Sequence, residues 1–531
     1  MRSILLALAL CSALSAQVAY EDILKGPGGN WLTYAGSYNG WRHSPETQIT
    51  PANAGSLVPK WVYRVPNARG LQTSPLAYDG VLYVTNTNSV YAIDARSGRL
   101  IWSYADTRAQ RQSPNRGAAI LGDKIYFITS DSYLTALDRN TGAVIFSKQY
   151  ARLEDGVSSS SAPLAVKDKI IVGSSGGDSG VRGFLAALDA ETGEEIWRTY
   201  TIPARGEPGS ETWGNLIEWG GGATWLSGTF DPALNTLYWT TGNAWPDFNG
   251  KVRPGDNLYT SSLLALDVDT GKMKWHFQFT PHDTHDWDAQ SWPMLVDLDW
   301  KGSPRKLVLH ANRNGFFYVL DRVTGEFLSG TQLTDNVTWA SGIDAKGRPI
   351  LVEGKDPTLE GNWVCPSVKG ATNWMGQTFH PGTGLIYILT LEQCGWFNLS
   401  EQEPVPMKNF PGGGATEEGG QVILRAIDPK TGKRAWEYPM TGYGRMWTGT
   451  VSTATGLIIT GDDAGQLAAI DAKTGKHLWN FNLGENLTAS PIIYEVDGKT
   501  RISIASASAI YSFGLFEPAQ PIEQPVIIKR Q

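Results

Sequence analysis

The eleven residues Ala187-Leu188-Asp189-Ala190-Glu191-Thr192-Gly193-Glu194-Glu195-Ile196-Trp197 decide how this chain folds. An apolar strand ends at Asp189, whose short carboxylate can bond back to nearby amides and start a turn. Gly193 supplies the positive φ that the turn needs. The next strand carries Trp197, a large rigid side chain suited to filling space between neighbouring sheets. Ala187 leaves room for that neighbour.

The same pattern recurs along the chain. It stands at Ala92/Asp94/Ser97/Gly98/Trp102, at Ala136/Asp138/Thr141/Gly142 with Phe146 in place of Trp, and at Ala265/Asp267/Thr270/Gly271/Trp275. Further copies are Asp321/Thr324/Gly325, Ala426/Asp428/Thr431/Gly432/Trp436 and Ala469/Asp471/Thr474/Gly475/Trp479, which makes seven. The longest interval, Asp321 to Asp428, holds a worn copy at Pro381-Gly382-Thr383-Gly384 with the apolar strand Leu385 to Leu389. Counting it gives eight units. Short repeats that cannot bury their own faces are the signature of propeller blades. The expected fold is therefore all-β, an eight-bladed β-propeller with tryptophan-type repeats; seven copies argue against ordinary hairpins in a sandwich. Lys60 to Val65 and Arg501 to Phe513 have no complete blade of their own. They are expected to share one, closing the ring and hiding sheet edges.

Residues 1–16 have the charged, apolar and small-residue order of a secretory signal, with Ala16 last. Acylation at Cys11 is the alternative, disfavoured by Leu10 where a small residue is wanted. One propeller domain over 17–516 and a Pro-rich, disordered tail over 517–531 complete the expected layout. No later stretch is apolar for long enough to span a membrane, so an exported, periplasmic protein is expected. Asp plus Glu (52) exceeds Lys plus Arg (45), which argues against nucleic-acid binding and suits a small cationic partner. Beyond the signal only Cys365 and Cys394 remain, most simply one structural disulfide. No Cys-x-x-Cys-His occurs, so the sequence has no attachment motif for a c-type haem.

Polar clusters in the insertions fall outside the repeat. The densest is Pro281-His282-Asp283-Thr284-His285-Asp286-Trp287-Asp288. If that segment is extended, Asp286 and Asp288 project to one side, where two carboxylates repel unless a cation sits between them. A solvated polar loop is the bland alternative. Asp178 lies in the Gly-rich run Gly173 to Gly183, where backbone can approach a ligand closely. Asn243 offers an oxygen suited to hard cations, or is only a turn residue. Arg313, in Asn312-Arg313-Asn314-Gly315, is either a surface residue or a clamp for a carboxylate or carbonyl. Trp225 is core, or a flat support for a planar ring.

Taken together these segments resemble the quinoprotein alcohol dehydrogenases, the methanol and ethanol dehydrogenase family, from Asn30-Trp31 to Phe513. The resemblance implies pyrroloquinoline quinone and one metal ion as cofactors. It implies Asp286 as catalytic base and Arg313 as the group that stabilises charge on the quinone. Asp178, Asn243, Asp286 and Asp288 would be metal ligands. Quinone contacts would come from Gln72, Arg116 (in Asn115-Arg116-Gly117), Ser160, Ser175, Gly176, Gly177, Trp225, Arg313, Asn373 and Trp447. Cys365 and Cys394 match the family's structural disulfide.

Three departures stand out. Gln110-Arg111-Gln112-Ser113-Pro114 occupies the place of the family's adjacent cysteines, Gln72 stands where Glu is usual, and Asp178 replaces a Glu. In members resembling the lanthanide enzymes a second Asp follows two residues after the base, as Asp288 does here; members resembling the calcium enzymes have a small uncharged residue. A lanthanide is therefore expected, with calcium the alternative. The implied activity is oxidation of small alcohols, with electrons leaving to an external c-type cytochrome. A non-catalytic scaffold propeller and a quinoprotein acting on sugars or polyols are the rival readings. The oligomeric state stays open, a homodimer among the possibilities.

Overall fold

The computed structural model describes residues 17–109, 113–444 and 448–518. The signal segment, Gln110-Arg111-Gln112, Trp447 and the tail from residue 519 lie outside them. Among the described residues the strands form seven four-stranded sheets, one five-stranded sheet, and two small sheets of two and three strands.

One sheet shows how the repeat builds them. Leu164–Val166, Lys169–Gly173, Phe184–Asp189 and Glu195–Tyr200 pair antiparallel in chain order. Asp189 Oδ1 accepts from the amides of Glu191 and Thr192 and from Thr192 Oγ1, and the Gly193 amide donates to the Asp189 carbonyl. Gly193 has φ +73°, and a Cβ there would lie 2.6 Å from the Phe146 ring of the neighbouring sheet. Glycine is required at this turn both by its dihedral and by that contact.

The Trp of one sheet lies on the Gly turn of the next. Trp61 covers Gly98, Trp102 covers Gly142, Trp197 covers Gly271, Trp275 covers Gly325 and Trp436 covers Gly475. The indole N–H groups donate to carbonyls of the next sheet, as Trp197 does to Val268 at 2.9 Å. The Asp321 repeat has no Trp, and Thr331 lies against Gly432 instead. Trp479 Nε1 then donates to the Leu57 carbonyl at 3.1 Å. Leu57–Arg64 belongs to a sheet with Ile492–Val496, Lys499–Ala505 and Ala509–Leu515, so the chain ends do share one sheet.

The worn copy requires a correction. Leu385–Glu392 pairs with Gln421–Ile427, so Pro381 to Gly384 and the Asp428 repeat belong to one sheet, not two. His380 takes the Asp position in a look-alike turn: the Gly384 amide donates to its carbonyl and the Thr383 amide to its Nδ1. That turn joins the first and second strands of its sheet, whereas the repeat turns join the third and fourth. The remaining sheet is the one made by the chain ends.

In a four-stranded antiparallel sheet, the connection between the second and third strands and the exit to the next sheet emerge at the same end. Ser175 to Asp178, Asn243 and Arg313 each follow a second strand. Gln72, Arg116, Ser160, Trp225, Asp286, Asp288 and Asn373 each lie between the last strand of one sheet and the first of the next. Topology alone therefore gathers the candidate residues at one end, opposite the Asp-Gly turns. The small sheets belong to insertions, and the Cys365–Cys394 disulfide ties together two paired strands of the three-stranded one, Asn362–Val364 and Gly395–Leu399. Glu517, assigned to the tail by sequence, pairs with Lys499 and stands 3.7 Å from Lys60.

Candidate active site

The Pro281–Asp288 segment is not extended as the sequence suggested. Asp286 has φ +57°, in the left-handed region, which Asp enters more readily than most residues. The cause is Asp283, whose carboxylate accepts from the His285 amide at 3.0 Å and the Trp287 amide at 2.7 Å. Trp287 anchors the turn: it is fully buried, donates from Nε1 to the Ser367 carbonyl and stacks on His285. Backbone strain of this kind costs about 1–3 kcal/mol and persists only where the surroundings impose it.

Asp286 and Asp288 nevertheless meet, at Arg313. Its Nη1 donates to Asp288 Oδ2 at 2.8 Å, and its Nη2 lies 3.8 Å from Asp286 Oδ2. Asp288 also accepts from Trp225 Nε1 at 3.2 Å and from the Asn243 amide at 2.7 Å. Asn243 Oδ1 lies 3.5 Å from where a Cβ on Gly177 would stand, which sets it beside the turn carrying Asp178. Asp178 is solvent-accessible, yet protein surrounds it closely enough to raise its pKa.

The quinone-side candidates form a second chain of contacts. Arg116 Nη1 donates to Ser160 Oγ at 2.7 Å, and Ser160 Oγ lies 3.0 Å from Ser175 Oγ. The Arg116 guanidinium stacks between Trp225 and Trp374, at 4.6 and 4.8 Å from the ring centroids. Gly176 packs under the Gly156 carbonyl, where a Cβ would come within 2.5 Å. Asn373 donates to the Lys369 carbonyl at 2.8 Å and receives the Trp374 amide. Gln72 has a buried Oε1 with no hydrogen-bond partner, as do Arg116 and Arg313 at Nε. Trp447 lies outside the described residues.

The acidic groups crowd one another. Burial raises the Asp286 pKa well above the carboxylate range; Arg313 pulls it down, and Asp288 and Asp178 push it up. Asp288 is pushed up to about 6 by burial, offset by Arg313 and reinforced by Asp178. A fourth carboxylate, Asp247, belongs to the same cluster: burial raises its pKa, and Asp178, Asp286 and Asp288 raise it further. Against these stand the Arg313 guanidinium and, beside Asp247, that of Arg253. Among the described residues no three carboxylate, imidazole or thiol groups converge as a ready-made ligand set. The donors are hard oxygens in excess of buried positive charge, with Asn243 Oδ1 beside them. Such a set fits a calcium or lanthanide ion whose shell is completed by further oxygens. The unpaired Arg116 nitrogen beside the Trp225 face, with Arg313 Nε and Gln72 Oε1 also buried and unpaired, likewise fits a planar polar cofactor.

Comparison with known proteins bears directly on this arrangement. The family "Glucose/ethanol/alcohol dehydrogenase, beta-propeller domain" matches residues 31–334, which include every candidate above except Asn373 and Trp447. The quinoprotein alcohol dehydrogenase PedH of Pseudomonas putida is 38% identical, over 95% of this chain and 90% of its own length. The chain belongs to the quinoprotein alcohol dehydrogenase family. A quinoprotein ethanol dehydrogenase of Pseudomonas putida is 34% identical to this quinoprotein, over 97% of this chain and 93% of its own. Among solved structures, a europium-containing methanol dehydrogenase superposes with a TM-score of 0.88 at 29% identity, covering 93% of this quinoprotein and 100% of that chain. The family of the outer membrane protein assembly factor BamB matches residues 419–513, a stretch without the acidic cluster.

Sequence reasoning missed Asp247, Asp283 and Trp374. Asp283 stood inside the quoted acidic segment and Trp374 beside Asn373. Asp247, four residues after Asn243, was the one available signal of a further carboxylate near the cluster.

Proposed function

We propose that this chain oxidises small alcohols to aldehydes in the periplasm and passes the electrons to an external c-type cytochrome. The observation that carries the reading is the gathering of Asp286 and Asp288 on Arg313, beside Asn243 and Trp225. Pyrroloquinoline quinone would lie against Trp225, held by Arg116, Ser160, Ser175, Gly176, Gly177, Asn373, Trp447 and Gln72. One metal ion would be held by Asp178, Asn243, Asp286 and Asp288. When bound, the quinone supplies a two-electron acceptor and the ion a Lewis acid. Asp286 takes the hydroxyl proton of the alcohol on its carboxylate, a role its desolvated surroundings suit. Arg313, 3.8 Å from that carboxylate, offers N–H groups to developing negative charge. A lanthanide is favoured over calcium because Asp288 adds an anionic oxygen to the set.

The eight large sheets are proposed as eight blades of one ring, supported by the Trp–Gly contacts that return to the first sheet through Trp479 and Leu57. Residues 17–516 would be that one domain, with a signal before it and a tail after it. The test is to load the protein with quinone and either calcium or a light lanthanide, record its absorbance, and screen alcohols and sugars with a dye acceptor. Alcohol turnover is expected. Turnover of sugars alone would move the substrate class, and failure to bind quinone would leave the scaffold reading.

A further inference from the structure

Asn243 is held at two points by carboxylates. Its main-chain N–H donates to Asp288 Oδ1 and its side-chain Nδ2 to Asp247 Oδ1, each at 2.7 Å. The other contact of Nδ2, with the Ala244 carbonyl, is longer at 3.4 Å. Asn243 is 2% exposed and Asp247 3%, so neither side chain can turn to bulk solvent.

An Asn side chain carries oxygen on one branch and NH2 on the other, and a half-turn exchanges them. A carboxylate accepts hydrogen bonds and does not donate them. The amide presents its nitrogen to Asp247 Oδ1, the orientation an ionised Asp247 requires, and this sends Oδ1 toward the Gly177-Asp178 turn. Asp247 is itself fixed. Arg253, fully buried, donates from Nε to the Pro246 carbonyl and from Nη2 to the Asp247 carbonyl, both at 3.0 Å. The same guanidinium donates to the Asp283 carbonyl at 2.5 Å and to Asn257 Oδ1 at 2.8 Å. One side chain thus ties the segment bearing Asp247 to the turn bearing Asp286.

We propose that Asp247 is a positioning residue for the metal site, aiming the Asn243 oxygen at the ion by accepting from its Nδ2. The inference rests on the dehydrogenase reading, in which Asn243 is a ligand. It predicts that metal affinity depends on the hydrogen bond between positions 243 and 247, not merely on a filled cavity there.

The test uses full-length mature protein loaded with quinone and titrated with europium(III), followed by europium luminescence, with calcium titrated in parallel. Asp247→Ala should weaken metal binding about 10- to 100-fold, the usual range for groups that orient metal ligands. The europium lifetime should shorten as water replaces the amide oxygen, while the melting temperature of the metal-free protein reports any general damage. Asp247→Asn should fall between, because an amide at 247 can face Asn243 either way round. The exchanged pair Asn243→Asp/Asp247→Asn should recover affinity, since an amide at 247 then donates to a carboxylate at 243. Unchanged affinity and lifetime in Asp247→Ala would overturn the proposal, and so would failure of the exchanged pair to improve on Asp247→Asn. Wild-type protein that binds neither quinone nor either ion would instead overturn the dehydrogenase reading itself.

Discussion

Arg313 grips Asp288 at 2.8 Å and stands off from Asp286 at 3.8 Å, so two carboxylates two residues apart are held in unequal ways. The tightly held one is fixed in orientation by Arg313, Trp225 and the Asn243 amide. The loosely held one keeps acceptor capacity for a substrate proton. Asp286→Asn should therefore lower alcohol oxidation by on the order of 10²–10⁴, with quinone uptake and melting temperature near wild type. A variant that keeps most of its turnover would remove Asp286 from the role of base.

Trp225 offers an aromatic face next to Arg116 and fixes its own orientation through Asp288. Trp225→Ala should weaken quinone binding, measured by titrating the quinone absorbance, with only a small loss of stability. Unaltered quinone affinity would make Trp225 a packing residue alone.

Asp288 bears on the choice of ion. Protein loaded with a light lanthanide should oxidise alcohols faster than protein loaded with calcium, and Asp288→Ala should abolish that advantage. Full activity with calcium, retained in Asp288→Ala, would reject the lanthanide reading and leave the dehydrogenase assignment standing.

Trp197 lies on the Gly271 turn of the next sheet and is 8% exposed. Trp197→Ala should cost about 3–5 kcal/mol of stability by opening a cavity between two sheets, read by chemical denaturation. A loss under about 1 kcal/mol would mean that the sheets do not depend on this contact.

His310 is fully buried, with its pKa lowered from 6.5 to about 3 by desolvation; burial, assisted by His380, lowers His43 to about 4. An unfolded chain protonates these rings near pH 6.5, the folded one only below those lower values. The unfolded state thus binds more protons in between, so stability is complete above about pH 6.5 and drains away as pH falls toward 3. His310 alone contributes a slope of about 1.4 kcal/mol per pH unit in that window. His310→Gln should flatten the acid limb of a stability–pH curve, and an unchanged limb would assign it to other groups.

The repeat was legible in the sequence because each turn is local: Asp189, Thr192 and Gly193 bond to one another and need no distant partner. The same locality made the His380 turn look like an eighth copy, since sequence does not say which pair of strands a turn joins. Asp286 and Asp288 both approach Arg313, but not by the route that the sequence suggested. Period-two spacing assumed a strand, whereas Asp283 wraps the segment into a left-handed turn. Asp247 escaped notice because its meaning lies in contacts with Asn243 and Arg253, which only the folded backbone brings together.

The sheet shared by the two chain ends has a consequence for biogenesis. Leu57 pairs with Leu515, so the strand Leu57–Arg64 waits for nearly the whole polypeptide before it gains its neighbour. Loop closure across such a span is slow, and a chain made from its N-terminus cannot complete this step until its last strand has been synthesised. Latching from both ends thus leaves Leu57–Arg64 without its neighbour until the final strand is available, and a chain cut short before residue 509 would keep that edge unpaired.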